Sequence, residues 1–110
     1  MSACAADYAS CTVFQDFTQA VAAISFGGIL GTQYSPHCIQ VRVGQAVTFS
    51  GDFGTHPLTQ SCGPATLIPQ TPSGLSATFA PCQVGLYGYY CRQHGMPDGT
   101  GMAGAIQVVP

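Results

Sequence analysis

The chain has no lysine, no glutamate and no tryptophan, and only Asp7, Asp16, Asp52, Asp98, Arg42 and Arg92 carry charge among its 110 residues. Two cations at a formal net charge of −2 exclude the basic footprint that nucleic acid or an anionic membrane surface requires. No stretch reaches the roughly 18 unbroken apolar residues of a membrane-spanning helix. Fourteen glycines and eight prolines exclude long helices and coiled coils. Disorder is excluded as well, because 46% apolar residues can bury enough surface to offset the entropy of ordering the chain. Charge therefore identifies no partner, and the six cysteines and three histidines must carry the chemistry.

Period-two alternation dominates what is present. Ile39-Gln40-Val41-Arg42-Val43 alternates apolar and polar, Gly44-Gln45 turns, and Ala46 to Ser50 resumes the alternation. Further strands are expected at Cys11 to Phe17 (with Val13 or Phe14 facing inward), Ile24 to Phe26, Ser76 to Phe79, Tyr87 to Cys91 and Ala105 to Val109. Residues 18–23 suit a short helix or a strand about equally. The run holding Pro64, Pro69 and Pro72 is neither helix nor strand interior. Short strands with turn signals between them predict an all-β antiparallel sandwich or barrel, a single domain over 1–110 with residues 1–9 as a loose N-terminal segment.

The first residues have no cationic or apolar leader character, so the chain is either cytosolic or a mature domain carrying a new start methionine. Six cysteines favour the second option and an oxidising compartment, periplasmic or extracellular.

The segment Tyr89-Tyr90-Cys91-Arg92-Gln93-His94 sets a thiol and an imidazole three residues apart at a strand end. Met102 follows as the next strand begins, and His56, in Gly54-Thr55-His56-Pro57, lies past the strand ending near Gly51. Strand ends of a sandwich gather at one pole. Two imidazoles, a thiolate and a weak thioether form the donor set of a blue-copper site, in which soft sulfur suits Cu(I) and imidazole tolerates Cu(II). Singly, a buried cysteine is most often an inert small hydrophobe, His56 a loop histidine and Met102 core filler; their joint spacing argues otherwise. His37 has no partner at useful spacing and is expected at the surface.

Tyr-Tyr-Cys-x-x-His with the later Met102-Ala103-Gly104 resembles the copper-ligand loop of the cupredoxin family, particularly its plastocyanin-like members. The run Val41-x-Val43-Gly44-Gln45-x-Val47-x-Phe49, leading to His56-Pro57, is similar to the strand pair that delivers the first histidine there; the likeness spans residues 38–109. The resemblance implies a Greek-key β-sandwich of about seven to eight strands (cupredoxin-like). It further implies one type 1 copper per chain, with His56, Cys91, His94 and Met102 as ligands and Met96 as the rival axial donor. Seven residues separate His94 from Met102, more than in plastocyanin-like loops, and the extra length should bulge over the metal pole. Pro57 has no N–H to give the thiolate, so that hydrogen bond is expected from Gln93.

The same resemblance implies an electron shuttle and not an enzyme, because four protein ligands leave no open coordination position. His94 is the expected electron port, ringed by Met96, Pro97, Gly54 and Gly101. Redox protein partners would dock there weakly and through apolar contact, with the chain a monomer. Copper transport or storage, or a metal-free disulfide-braced binding module, are the alternatives. A cysteine hydrolase is disfavoured, since no Asn or Asp is in evidence to orient His94.

With Cys91 given to metal, five cysteines remain for at most two bridges. Cys62 and Cys82 flank the Pro-rich excursion and are expected to close it. Cys11 and Cys38 open strands that could be neighbours, which favours Cys11–Cys38 and leaves Cys4 free; Cys4–Cys11 is the competing pairing.

Overall fold

Alternating burial decides how the strands face. In Ala22–Phe26 residues 22, 24 and 26 are buried while 23 and 25 are exposed, and in Leu58–Cys62 the odd positions are only half-covered. A computed structural model describes all 110 residues and contains nine strands: β1 (Gln15–Asp16), β2 (Ala22–Phe26), β3 (Tyr34–Ser35), β4 (Cys38–Arg42), β5 (Val47–Ser50), β6 (Leu58–Cys62), β7 (Ser76–Phe79), β8 (Gly85–Gly95) and β9 (Gly101–Val109). They form a five-stranded sheet in the order β1-β4-β9-β8-β6 and a four-stranded sheet in the order β3-β2-β5-β7. Two of the nine strands are two residues long, which accounts for the lower number expected from sequence.

The sheets are mixed and not purely antiparallel: β1–β4, β4–β9 and β2–β5 pair in parallel. The chain switches sheet repeatedly between β3 and β8. Apart from β2–β3 and β8–β9, neighbours within a sheet are then joined by crossovers instead of hairpins, and crossovers permit parallel pairing. Residues 18–20 form a turn and 22–23 belong to β2, so no helix forms there. The Gln45 side-chain amide donates to the carbonyls of Phe17 (2.6 Å) and Ala20 (2.8 Å), groups that a helix would have used internally.

Between the sheets lies an inner cluster of 18 buried residues, among them Ile24, Phe26, Tyr34, Phe49, Leu58, Tyr89, Cys91, Met102 and Ile106. Tyr34, Phe49 and Tyr89 pack edge to face at centroid separations of 4.9–6.2 Å, the arrangement favoured by ring quadrupoles. A second, smaller cluster covers the outer face of the five-stranded sheet: Tyr8, Cys11, Cys62, Ala103 and Ala105.

That outer cluster corrects three expectations. Residues 1–9 are not loose: Tyr8 is buried, Gly63 N–H donates to the Ser2 carbonyl (2.9 Å), and Cys4 is bridged to Cys62. The N-terminal segment is a strap across the sheet, pinned further along by the Cys11–Cys38 bridge. Only Gln15–Asp16 of the expected first strand pairs with β4; Val13 is exposed and Phe14 packs on the outer cluster. The expected Cys62–Cys82 bridge is absent and Cys82 is a free, exposed thiol. The Cys62 sulfur is taken by Cys4, and in the β6–β8 pair Cys62 stands opposite Gly88, six residues further along than Cys82. The buried Gln60 organises the Pro-rich excursion instead, accepting from Leu67 N–H (2.7 Å) and Ile68 N–H (2.9 Å) and donating to the carbonyls of Cys62 (3.1 Å) and Ala65 (2.8 Å).

Candidate metal centre

His56 follows β5 through a turn that Asp52 organises. The Asp52 carboxylate accepts from Gly54 N–H (2.9 Å) and the Thr55 hydroxyl (3.1 Å), and His56 N–H donates to the Asp52 carbonyl (2.9 Å). β6 then pairs antiparallel with β8, setting Leu58 opposite Cys91, and Arg92 N–H donates to the Pro57 carbonyl (2.9 Å). Adjacent strand ends thereby deliver His56 and Cys91 to one place. His94 comes from the end of β8 itself.

The three side chains converge. His56 Nδ1 and His94 Nδ1 are 3.2 Å apart, and Cys91 Sγ lies 3.8 Å from the first and 3.6 Å from the second. An ion held at about 2.0 Å by each nitrogen and about 2.3 Å by sulfur, in one plane with its donors, requires edges of roughly 3.5 Å and 3.8 Å. The observed triangle has that size, so the donor set fits a small soft or borderline cation. Burial, and next the neighbouring His94, hold the His56 pKa below the ordinary imidazole value, which keeps it a neutral donor.

The imidazoles differ in access. His56 is buried, with Phe26 edge-on at 6.0 Å between centroids. Gly27, at φ +76, passes over the ring so closely that a Cβ there would stand 3.2 Å from His56 Cδ2. His94 is exposed. Ile29, just beyond Gly27, is fully exposed, as is much of Met96. Arg92 and Gln93, next to His94 in sequence, are exposed as well, and no ligand motif flags Ile29.

Met102 is buried in the same inner cluster as Cys91, whereas Met96 is 57% exposed. The lengthened loop does not bulge freely over the pole. Met96 N–H donates to the Thr100 carbonyl (2.9 Å), and Asp98 accepts from Thr100 N–H (3.0 Å) and its hydroxyl (2.7 Å), which closes a tight turn. Its tip rests on the strap: at Gly99, φ +92, a Cβ would stand 2.7 Å from Ala9 N and 3.1 Å from the Tyr8 ring. The Ser61 hydroxyl donates to the Pro97 carbonyl on the same side.

The expected hydrogen bond from Gln93 N–H to Cys91 Sγ is absent; the partners in reach of the sulfur at this pole are the two Nδ1 atoms. The β8–β9 register slips between Tyr90 and Gly95, and the chain turns back there far enough that a Cβ on Gly95 would stand 3.1 Å from the Cys91 carbonyl; the turn carries the His94 ring, and not the Gln93 N–H, to the sulfur. Pro57 has no N–H to offer either. His37 is exposed as expected, but it stands beside Cys11 and Cys38 and not alone.

No protein-family model and no curated protein matches the sequence. Solved structures do. A mutant plastocyanin of fern aligns with a TM-score of 0.58 at 22% identity, over 80% of this chain and 100% of that one. A purple cupredoxin from Nitrosopumilus maritimus gives 0.54 at 22% identity, over 80% and 99%. The chain has the cupredoxin fold. A copper-containing nitrite reductase from Thermus scotoductus SA-01 contains the fold too, at a TM-score of 0.57 and 20% identity, with the match covering 81% of this chain but 22% of the enzyme. In this cupredoxin fold His56, Cys91 and His94 share one end of the sandwich, and no helix is long and apolar enough to cross a membrane.

Proposed function

We propose that this cupredoxin-fold chain is an electron carrier holding one type 1 copper ion through His56, Cys91, His94 and Met102, and that it is not an enzyme. The observation that carries the proposal is the His56–Cys91–His94 triangle with edges of 3.2, 3.6 and 3.8 Å. Copper supplies a one-electron couple there. Cys91, fully buried, shields its sulfur from solvent and competing oxidants. Phe26 and the Gly27 turn fix the His56 ring and exclude water from its side. A donor set held by two strand ends and a closed turn need rearrange little between oxidation states, which favours rapid exchange. Met102, buried beside Cys91, supports the axial assignment over exposed Met96.

His94 serves as the port, because it alone of the three is exposed. Ile29, two residues past Gly27, and Met96, two residues past His94, are exposed apolar side chains, which supports a redox protein docking transiently and without salt-dependent steering. The two disulfides suit a periplasmic or extracellular monomer. Adding Cu(II) to the apoprotein tests the assignment. An intense visible thiolate-to-copper band is expected, lost in Cys91→Ser, shifted in Met102→Leu and unchanged in Met96→Leu; absence of the band overturns the proposal. A transfer rate that halves on modest addition of salt would contradict the docking mode.

A further inference from the structure

A second cluster of soft and imidazole donors lies away from that pole. Cys11, His37 and Cys38 each offer a ligand atom within 4.8 Å of the other two. Their order of exposure is graded: Cys11 is buried, Cys38 half-buried and His37 exposed. The position of His37 is fixed by the sheet, since Ala105 N–H donates to its carbonyl (2.7 Å) and Cys11 Sγ lies 3.6 Å from that same oxygen. A cavity of about 390 Å³, lined by Ser10, Gln33, Tyr34, His37 and Thr100 among others, opens beside the imidazole.

In the oxidised chain both sulfurs are used by their mutual bond. Reduction changes the donor count from one imidazole to two thiols and an imidazole. The Cys11 and Cys38 Cα atoms are 5.6 Å apart, a separation from which two thiolates can straddle one ion as readily as they bond to each other. We propose that Cys11, His37 and Cys38 form a redox-gated metal site, closed as the disulfide and open to a thiophilic d¹⁰ cation, Zn(II) or Cu(I), once reduced. A dithiol reductant delivers two electrons and two protons to the bridge, giving two thiols and leaving its own sulfurs as a disulfide. Metal binding then displaces the two thiol protons, while neutral His37 contributes a nitrogen lone pair and loses no proton. The cavity leaves the fourth position to water or an exogenous donor.

The experiment uses the full chain carrying Cys82→Ser and Cys91→Ser, so that neither of these cysteines offers a thiolate to the ion. Cd(II) alone is titrated under argon before and after dithiol reduction, following thiolate-to-cadmium absorption. Reduction should raise the binding capacity, and adding Cys11→Ser with Cys38→Ser should remove one equivalent per chain. Adding His37→Ala, which leaves both bridges able to form, should weaken that equivalent about tenfold or more. Equal capacity before and after reduction overturns the proposal, and so does a gain that survives Cys11→Ser with Cys38→Ser and therefore belongs to the thiols of Cys4 and Cys62. So does binding that ignores His37, which is also what a chain unfolded by reduction would show.

Discussion

The two faces of the five-stranded sheet are held by different means. Its inner face meets the second sheet through 18 buried residues, including large rings and branched aliphatics that pack without covalent help. Its outer face has only five buried residues, two of them the alanines 103 and 105, under a strap too short to bury much more. There both cross-links of the molecule are found, Cys4–Cys62 and Cys11–Cys38. The difference shows a division of labour: burial suffices where area is large, and bonds that restrict the unfolded chain substitute where it is small.

Breaking the inner face should cost most. Phe49 is wholly buried and packs against Tyr34, Phe79 and Tyr89, so Phe49→Ala is expected to lower stability by about 3–5 kcal/mol in urea denaturation. Removing the longer bridge with Cys4→Ser and Cys62→Ser should cost about 2–4 kcal/mol, since it frees 58 residues of separation in the unfolded chain. Its signature differs from that of Phe49→Ala: amide exchange should rise first in the strap and at Gly99, with the inner strands still protected.

Alkali sharpens the same contrast. Burial raises the pKa values of Tyr34 and Tyr89 in the inner cluster, and their hydroxyls make no hydrogen bond to the protein. The folded state therefore keeps protons that the unfolded state releases near pH 10. Stability should be level below about pH 9 and then fall, at roughly 1.4 kcal/mol per pH unit for each such tyrosine. Denaturation midpoints measured from pH 8 to 11 check this, and a flat profile would contradict the burial of these rings. The smallest effect is expected where the faces communicate. Gly99→Ala should cost about 1–2 kcal/mol through its positive φ and the approach of Ala9, and should shift the copper band only slightly.

Much of the inner architecture was legible in sequence, because alternation at 39–42, 47–50 and 76–79 records which side faces the core, although Val43, next in the expected pattern, lies past the strand end and is exposed. β6 was not picked out, although Leu58, Gln60 and Cys62 alternate, because its buried positions include a polar glutamine that the excursion it anchors helps to satisfy. The triangle of His56, Cys91 and His94 was legible from spacing alone, since strand ends of a sandwich gather at its poles. The strap was not legible. Its first ten residues carry no period, and what fixes them is a pairing of Cys4 with a residue 58 positions away, which no local pattern encodes. The Gln93 donor failed for a related reason: the path of the chain between Tyr90 and Gly95, where β8 carries three residues more than β9, follows no local pattern, and it brings His94 instead of the Gln93 N–H to the sulfur.

The placement of the cross-links has a consequence for how the molecule could be divided. Both lie within the first 62 residues, while Cys91, His94 and Met102 all belong to the last 20. A single cut in the Pro-rich excursion would release no disulfide-tethered fragment across the break. It would leave a bridged N-terminal piece holding His56 and a C-terminal piece holding Cys91, His94 and Met102, joined by the β4–β9, β5–β7 and β6–β8 ladders. Reassembly of two such fragments would then be promoted by any ion that needs ligands from both.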